Sequence, residues 1–274
     1  MKLNFLKLLF FGLIVLLIMG LFLLFKPQSI PILAYHEIKP ANEMTKADKT
    51  NDLIISLETF EKQMKYLSKN NYKTLTIDQF YCWMLKKCKF PRKSVVITFD
   101  DGCRSIYDYV LPILKKYNLN ATSFVITSRI LSQSEVSDNF NFLTKEMIKE
   151  AKIKYKGLEF HSHSHNLHRA KDGIAVINKL DNNNLEIDIQ KAAEILNTNI
   201  ISYPYGTYND DYIKLLKKNG YIMGFAYNEP FIRARQNDNI YTIPRVKIGG
   251  DLNFTRFRIA LWYGLFSKNN LSGR

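Results

Sequence analysis

KSVVITFDDG, residues 93–102, decides how this chain folds. It is a β-branched strand that runs straight into a turn, and its last polar residues are two adjacent aspartates. IYDYVLPILKKYN follows as a helix that Pro112 is expected to kink, and ATSFVIT (121–127) is the next strand. The alternation continues outward on both sides. PILAYHEI (31–38) reads as a buried strand. LETFEKQMKYLSK (57–69) has Leu57, Phe60, Met64 and Leu67 at helical spacing, with Ser56 placed to cap it. Downstream come the strand GLEFHSH, the helix 185–196, the strand NIISYPYG and a helix ending at Gly220. YIMGFAY and IYTIPRV are the last strands, before a terminal helix near 253–267. NDLIISLETF and KDGIAVINKLDNNN read as surface loops. Strand and helix in alternation imply an α/β fold with a largely parallel sheet, open or closed into a barrel.

Such sheets place their chemistry at the carboxyl ends of the strands, and three polar clusters fall there. Asp100 and Asp101 should point in different directions, so that one can bind a metal while the other acts as a base. Adjacent acids resist joint ionisation unless a cation sits nearby. By itself, DDG is also an ordinary strand-ending turn. The second cluster, GLEFHSHSHNLH (157–168), holds four of the chain's five histidines. Two imidazoles and a carboxylate suit zinc or a related divalent ion and leave a position for water. On an extended strand His161, His163 and His165 would face one side. Two ligand pairs are open, His161 with His165 and His163 with His168. The third cluster is His36, closing the first strand in AYHEI. In SYPYG (202–206) the Tyr205 N–H could be exposed as an oxyanion donor, or the segment could be a plain proline turn.

The chain has 274 residues, 46% of them hydrophobic, enough for one large core. Its formal charge of +14 is scattered over lysine pairs, without a nucleic-acid motif, and reads as a solvated basic surface. No nucleic-acid partner is expected. LLFFGLIVLLIMGLFLLF (8–25) carries no charge and spans roughly 27 Å as a helix, close to a hydrocarbon core. Lys2 and Lys7 precede it, which directs the bulk of the chain outside. No small-residue cleavage site follows, so an uncleaved anchor is expected. Cys82 and Cys88 could pair in an oxidising compartment or stay reduced. Three cysteines make no disulfide framework.

In this order, TFDDG, HSHSHNLH and SYPYG resemble the metal-dependent polysaccharide deacetylases of the NodB-homology type, carbohydrate esterase family 4. The similarity extends from about Ile30 to Val246. AYHEI, FPRKSVVITFDD and HSHNLH are most similar to the branch that de-N-acetylates poly-β-1,6-N-acetylglucosamine in biofilm matrices. The resemblance implies a distorted (β/α) barrel, permuted, with the anchor in residues 1–27 and the deacetylase domain in 28–274. It implies that Asp100 is the general base, that Asp101, His163 and His168 hold the metal, that His36 is the general acid and that Tyr205 supplies the oxyanion N–H. His161 and His165 would be the ligands under the commoner four-residue spacing. The implied metal is zinc, with cobalt or nickel as alternatives. The implied partners are an N-acetylated polysaccharide, the membrane through the N-terminal helix, and polysaccharide synthesis or export machinery. The implied location is the periplasm or cell surface.

The sequence also departs from the family. The usual third motif carries an arginine just before Pro-Tyr, where this chain has Ser202-Tyr203; Arg245, in IPRV, is the candidate to pair with Asp100 instead. No histidine follows His168, so the usual C-terminal acid is absent, and His36 replaces it only in a permuted arrangement. Two other readings share the fold: a deacetylase of peptidoglycan or a lipid-linked amino sugar, and a catalytically silent glycan-binding protein.

Overall fold

The computed structural model describes residues 10–14, 28–130, 141–171, 173–227, 232–250 and 254–262. An eight-stranded, all-parallel sheet organises them. Its strands are β1 (Ile32–Tyr35), β2 (Lys73–Thr74), β3 (Ser94–Phe99), β4 (Ala121–Val125), β5 (Leu158–Ser162), β6 (Ile200–Ser202), β7 (Met223–Phe225) and β8 (Val246–Lys247). The order is β7-β6-β5-β4-β3-β1-β8, and β2 pairs the start of β3. The sheet curls. Ile243, just ahead of edge strand β8, bridges Phe225 in the opposite edge strand β7, exchanging 2.9 Å bonds with Gly224 and Ala226.

Every residue of β3 is buried, and the two-residue period of a strand sorts its side chains onto two faces. Val95, Ile97 and Phe99 pack into the larger cluster beneath the helices, while Val96 joins Ile32, Phe124 and Phe225 on the other face. Thr98 and then Asp100 continue on the Val96 face. The same alternation that buries β3 therefore delivers Asp100 into the interior of the curl.

The helices are α1 (Lys46–Thr50), α2 (Leu57–Lys69), α3 (Ile77–Met84), α4 (Leu111–Tyr117), α5 (Lys145–Lys154), α6 (Asn182–Leu196), α7 (Asp210–Lys218) and α8 (Phe254–Trp262). α2 has the expected bounds: Ser56 Oγ accepts the Thr59 N–H, and Phe60, Met64 and Leu67 are buried. The helix around Pro112 is not uniform. A π-turn over Ile106–Val110 runs directly into α4, and Pro112, which has no N–H to donate, lies in the first turn of α4 where the two join.

Three expectations are corrected. PILAYHEI is not one strand. β1 stops at Tyr35, and Glu37–Lys39 pairs with Ile54–Ser56 rather than with β3, which leaves His36 at the break. NDLIISLETF is not a surface loop, because its apolar Ile54 and Ile55 are buried in that small ladder and α2 starts at Leu57. Nor is KDGIAVINKLDNNN one. Val176 and Ile177 are buried, and α6 begins at Asn182 because Asp181 caps it through the Asn184 N–H. Cys82 and Cys88 form a disulfide at the end of α3. Residues 10–14 are helical, but the rest of the expected anchor over 8–25 lies outside the described residues. Among those described, no helix is long and apolar enough to cross a membrane. Of the terminal helix expected near 253–267, α8 is the described part.

Candidate metal centre and active site

Asp100 follows β3 and meets Arg245, whose side chain runs through the interior from the entry of β8. The pair is bidentate, with Arg245 Nη1 to Oδ1 at 2.8 Å and Nη2 to Oδ2 at 2.7 Å. The guanidinium also donates to Thr98 Oγ1, Ser202 Oγ and the Ala226 carbonyl, so each of its five N–H groups has an acceptor. The rings of Phe124 and Tyr227 flank it. Arg245 is fully buried and Asp100 nearly so. Burial alone would raise the Asp100 pKa. Arg245, with His163 and His36 adding to it, overrides that and holds the carboxyl well below its ordinary range.

Asp101 points elsewhere for a backbone reason. Its φ is +70° and that of Gly102 is +75°, two successive left-handed residues at the end of the strand. Aspartate tolerates this conformation better than most residues. Gly102 has no substitute, because a Cβ there would lie 2.7 Å from Val125 Cγ1. The turn carries Asp101 Oδ1 to 3.5 Å from His163 Nε2 and 3.2 Å from His168 Nε2. The three ligand atoms lie within 4.8 Å of one another. Asp101 Oδ1 is buried and, among the described residues, accepts no well-directed hydrogen bond.

This donor set fits a divalent cation. An orphaned carboxylate oxygen faces two imidazole nitrogens, and His163 Nδ1 lies 2.8 Å from the Ser202 carbonyl. Donating Nδ1–H there turns Nε2 toward Asp101, the position from which the neutral ring would bind an ion. His168 stacks on Tyr205, with ring centres 4.3 Å apart. Burial lowers its pKa to about 4, with the charge of His163 adding to the effect, so it presents a neutral nitrogen at neutral pH. Burial alone would lower the His163 pKa too, but Asp100 and Asp101 override it and pull that pKa up, a demand for positive charge that a bound cation would meet instead.

His161 and His165 lie apart from this cluster. β5 ends at Ser162, so the expected run of three histidines on one strand face does not form, and neither does a helical turn pairing His161 with His165. His161 Nδ1 bonds Thr198 Oγ1 at 2.7 Å and His165 Nδ1 bonds Thr127 Oγ1 at 3.0 Å. Burial lowers the His161 pKa to about 4, with Lys152 adding to it. A histidine buried neutral binds fewer protons folded than unfolded. Its contribution is therefore intact above its unfolded pKa near 6.5 and is lost as pH falls toward 4, by about 3 kcal/mol in total. His161→Gln should flatten this part of the stability–pH curve in urea unfolding between pH 7 and 4. A curve identical to that of the unsubstituted chain would refute the assignment.

His36, at the break after β1, places Nε2 4.0 Å from Asp100 Oδ2 and sets its ring edge-on to Tyr227. Burial lowers its pKa, against the upward pull of Asp100 and Asp101. Tyr205 follows Pro204 with φ +56° and is half-exposed. His36, Asp100, Asp101, His163, His168, Tyr205 and Arg245 thus gather at one mouth of the curled sheet. Ser202, read from sequence only as a departure from the third motif, serves twice: its carbonyl orients His163 and its hydroxyl accepts from Arg245.

Residues 87–224 match the sequence model of the family described as Polysaccharide deacetylase. A poly-beta-1,6-N-acetyl-D-glucosamine N-deacetylase of Staphylococcus aureus is 34% identical over 261 residues, covering 89% of this chain and 87% of the relative. The enzyme of that name from Staphylococcus epidermidis is 35% identical over 246 residues, covering 83% and 81%. Among solved structures, the Streptococcus pyogenes deacetylase PplD in complex with acetate superposes with a TM-score of 0.71 at 27% identity, over 86% of this chain and 99% of that one. IcaB from Ammonifex degensii, 20% identical over 88% and 98% of the two chains, has a TM-score of 0.69 and shares the fold.

Proposed function

Because this chain belongs to the polysaccharide deacetylase family, we propose that it removes acetyl groups from N-acetylglucosamine units of an extracellular, poly-β-1,6-N-acetylglucosamine-like polymer. As a polysaccharide N-deacetylase it hydrolyses a carbon–nitrogen bond. The observation that carries the reading is the juxtaposition of the Asp101–His163–His168 cluster with an Asp100 carboxylate locked by Arg245. The relatives' printed substrate supports the choice of polymer.

Asp101, His163 and His168 would hold the ion, most simply zinc, with cobalt or nickel as alternatives; when bound it supplies a Lewis acid for the acetamide carbonyl and for water. The other roles fall to this chain's own groups. Asp100, kept ionised and fixed in orientation by Arg245, takes a proton from the attacking water. The Tyr205 N–H donates to the developing oxyanion. His36 gives a proton to the departing nitrogen, so acetate and a free amine result. A silent glycan-binding protein would need an incomplete site, and the missing third-motif arginine is the sequence feature that supports one. Arg245 removes that support by reaching Asp100 from the other end of the domain, and with His36 on the first strand this favours a permuted (β/α) barrel.

The proposed organisation is an anchor in residues 1–27 and a catalytic domain in 28–274 outside the cytoplasm, beside polysaccharide synthesis or export machinery. The Cys82–Cys88 disulfide supports an oxidising compartment. To test the reading, the full chain is stripped of metal, reloaded with zinc, cobalt or nickel, and assayed for acetate release from β-1,6- and β-1,4-linked N-acetylglucosamine oligomers. Metal-dependent release favouring β-1,6 linkage is expected. Preference for β-1,4 linkage would redirect the substrate to a wall- or chitin-like polymer. No acetate from either, with metal demonstrably bound, would point to a lipid-linked amino sugar or to the catalytically silent glycan binder.

A further inference from the structure

The segment between His163 and His168 has an unusual hydrogen-bond ledger. All four intervening amides are accepted by side chains: Ser164 N–H by Ser162 Oγ at 3.0 Å, His165 N–H by Asp188 Oδ1 at 2.9 Å, Asn166 N–H by Asp188 Oδ2 at 2.6 Å, and Leu167 N–H by Ser164 Oγ at 3.1 Å. The carbonyls of Ser164 and His165 accept from Thr127 and Ser128 N–H. Ser164 adopts φ +69°, a conformation that a serine holds only where its surroundings fix it. Leu167, 2% exposed, packs into the cluster formed with Leu185 and Ile189 of α6.

Asp188 stands out in this set. It lies on α6, more than twenty residues from the loop, and is 6% exposed. It is the one charged acceptor, and each of its oxygens takes one of two consecutive amides. Turning successive N–H groups toward one anion is a strong way to fix loop backbone, because charge-assisted bonds are about twice as strong as neutral ones. α6 lends nothing to the metal cluster itself, since Asp101, His163 and His168 come from the segments after β3 and β5. A helix with no ligand on it therefore clamps the loop that sets the distance between two ligands.

We infer that Asp188 is a positioning residue for the metal centre: its carboxylate holds the 165–166 backbone so that His163 and His168 converge on Asp101 before any ion arrives. The inference rests on the metal-site reading above and extends it to a residue that touches neither ion nor substrate. Asp188→Ala removes both acceptors. Asp188→Asn keeps one and sets an NH2 group against the other amide. Loss of such an outer partner weakens metal binding by about 10–100-fold.

The experiment measures zinc Kd by competition with a chromophoric chelator for the full chain, for Asp188→Asn and Asp188→Ala, and for Ala192→Gly. Ala192, one turn along α6 from Asp188, is buried and has no polar side-chain atom to bond the loop, so glycine there destabilises the helix while both Asp188 acceptors stay in place. Hydrogen exchange on the metal-free, unsubstituted chain follows the 165 and 166 amides, and needs no variant to fold. Expected are slow exchange at both amides without metal, a Kd raised about 10–100-fold in the Asp188 variants with alanine worse than asparagine, and a Kd unchanged in Ala192→Gly. Fast exchange of both amides in the metal-free chain would overturn the inference. So would Asp188 variants that bind zinc like the parent, or a Kd that tracks melting temperature across all the variants. If the unsubstituted chain bound no zinc, the metal-site reading itself would fall, and the inference with it.

Discussion

Asp100→Asn is expected to lower kcat for acetate release by roughly 10²–10⁴-fold, the range set by loss of a positioned general base. The substituted amide has no basic oxygen able to take a proton from water. It also turns NH2 hydrogens toward a guanidinium that can only donate. Both effects follow from the two short contacts at 2.8 and 2.7 Å. A second consequence separates this substitution from an ordinary active-site change: Arg245 remains buried without its counter-ion. Breaking a buried pair from one side costs about 3–5 kcal/mol. Thr98, Ser202 and the Ala226 carbonyl still accept from the guanidinium, which favours the lower part of that range. Zinc affinity should change little, because Asp100 is not in the Asp101–His163–His168 cluster. The measurement is single-turnover acetate release below the melting transition, beside a zinc titration and an unfolding curve. An Asp100→Asn chain that is folded, zinc-loaded and as fast as the parent would remove Asp100 from the mechanism.

How much of this site can be read from sequence follows from the range of the interactions that build it. β3 is legible because a buried parallel strand must be apolar throughout, and the turn at its end follows from Asp-Gly. α2 is legible because Ser56 and the spacing of Phe60, Met64 and Leu67 are local signals. Residue types at the site are also legible, since few other roles collect four histidines within eight residues. What is lost is convergence between distant segments. Nothing near Ser202 shows that its hydroxyl will meet Arg245 across 43 positions of chain. Asp188 reads as one more acid on the polar side of a helix, yet it folds inward onto the 165–166 amides. The break at His36 is hidden for the opposite reason. PILAYHEI is continuous in composition, and the strand stops only because Glu37–Lys39 finds a different partner.

The histidine cluster gives the other large effect, and here the four residues should separate into two classes. His163→Ala and His168→Ala are each expected to weaken zinc binding by on the order of 10³-fold or more, beyond the 10–100-fold typical of losing an outer-sphere partner. Activity at stoichiometric zinc should fall with occupancy. His161→Ala and His165→Ala should keep zinc affinity within the scatter of the measurement, because their rings bond Thr198 and Thr127 instead. Within the ligating pair the costs should differ. His163 is 2% exposed and its Nδ1–H satisfies the Ser202 carbonyl, so truncation leaves a cavity and an unpaired acceptor. Its melting temperature should drop in the metal-free state. His168 is more exposed and rests on the Tyr205 ring, so its loss should act mainly on the metal. Excess zinc should therefore restore more activity to His168→Ala than to His163→Ala. The decisive comparison is His161→Ala against His168→Ala in one chelator competition. If His161→Ala lost zinc while His168→Ala held it, the five-residue spacing would be the wrong one. The cluster around Asp101 would then not be the working metal centre.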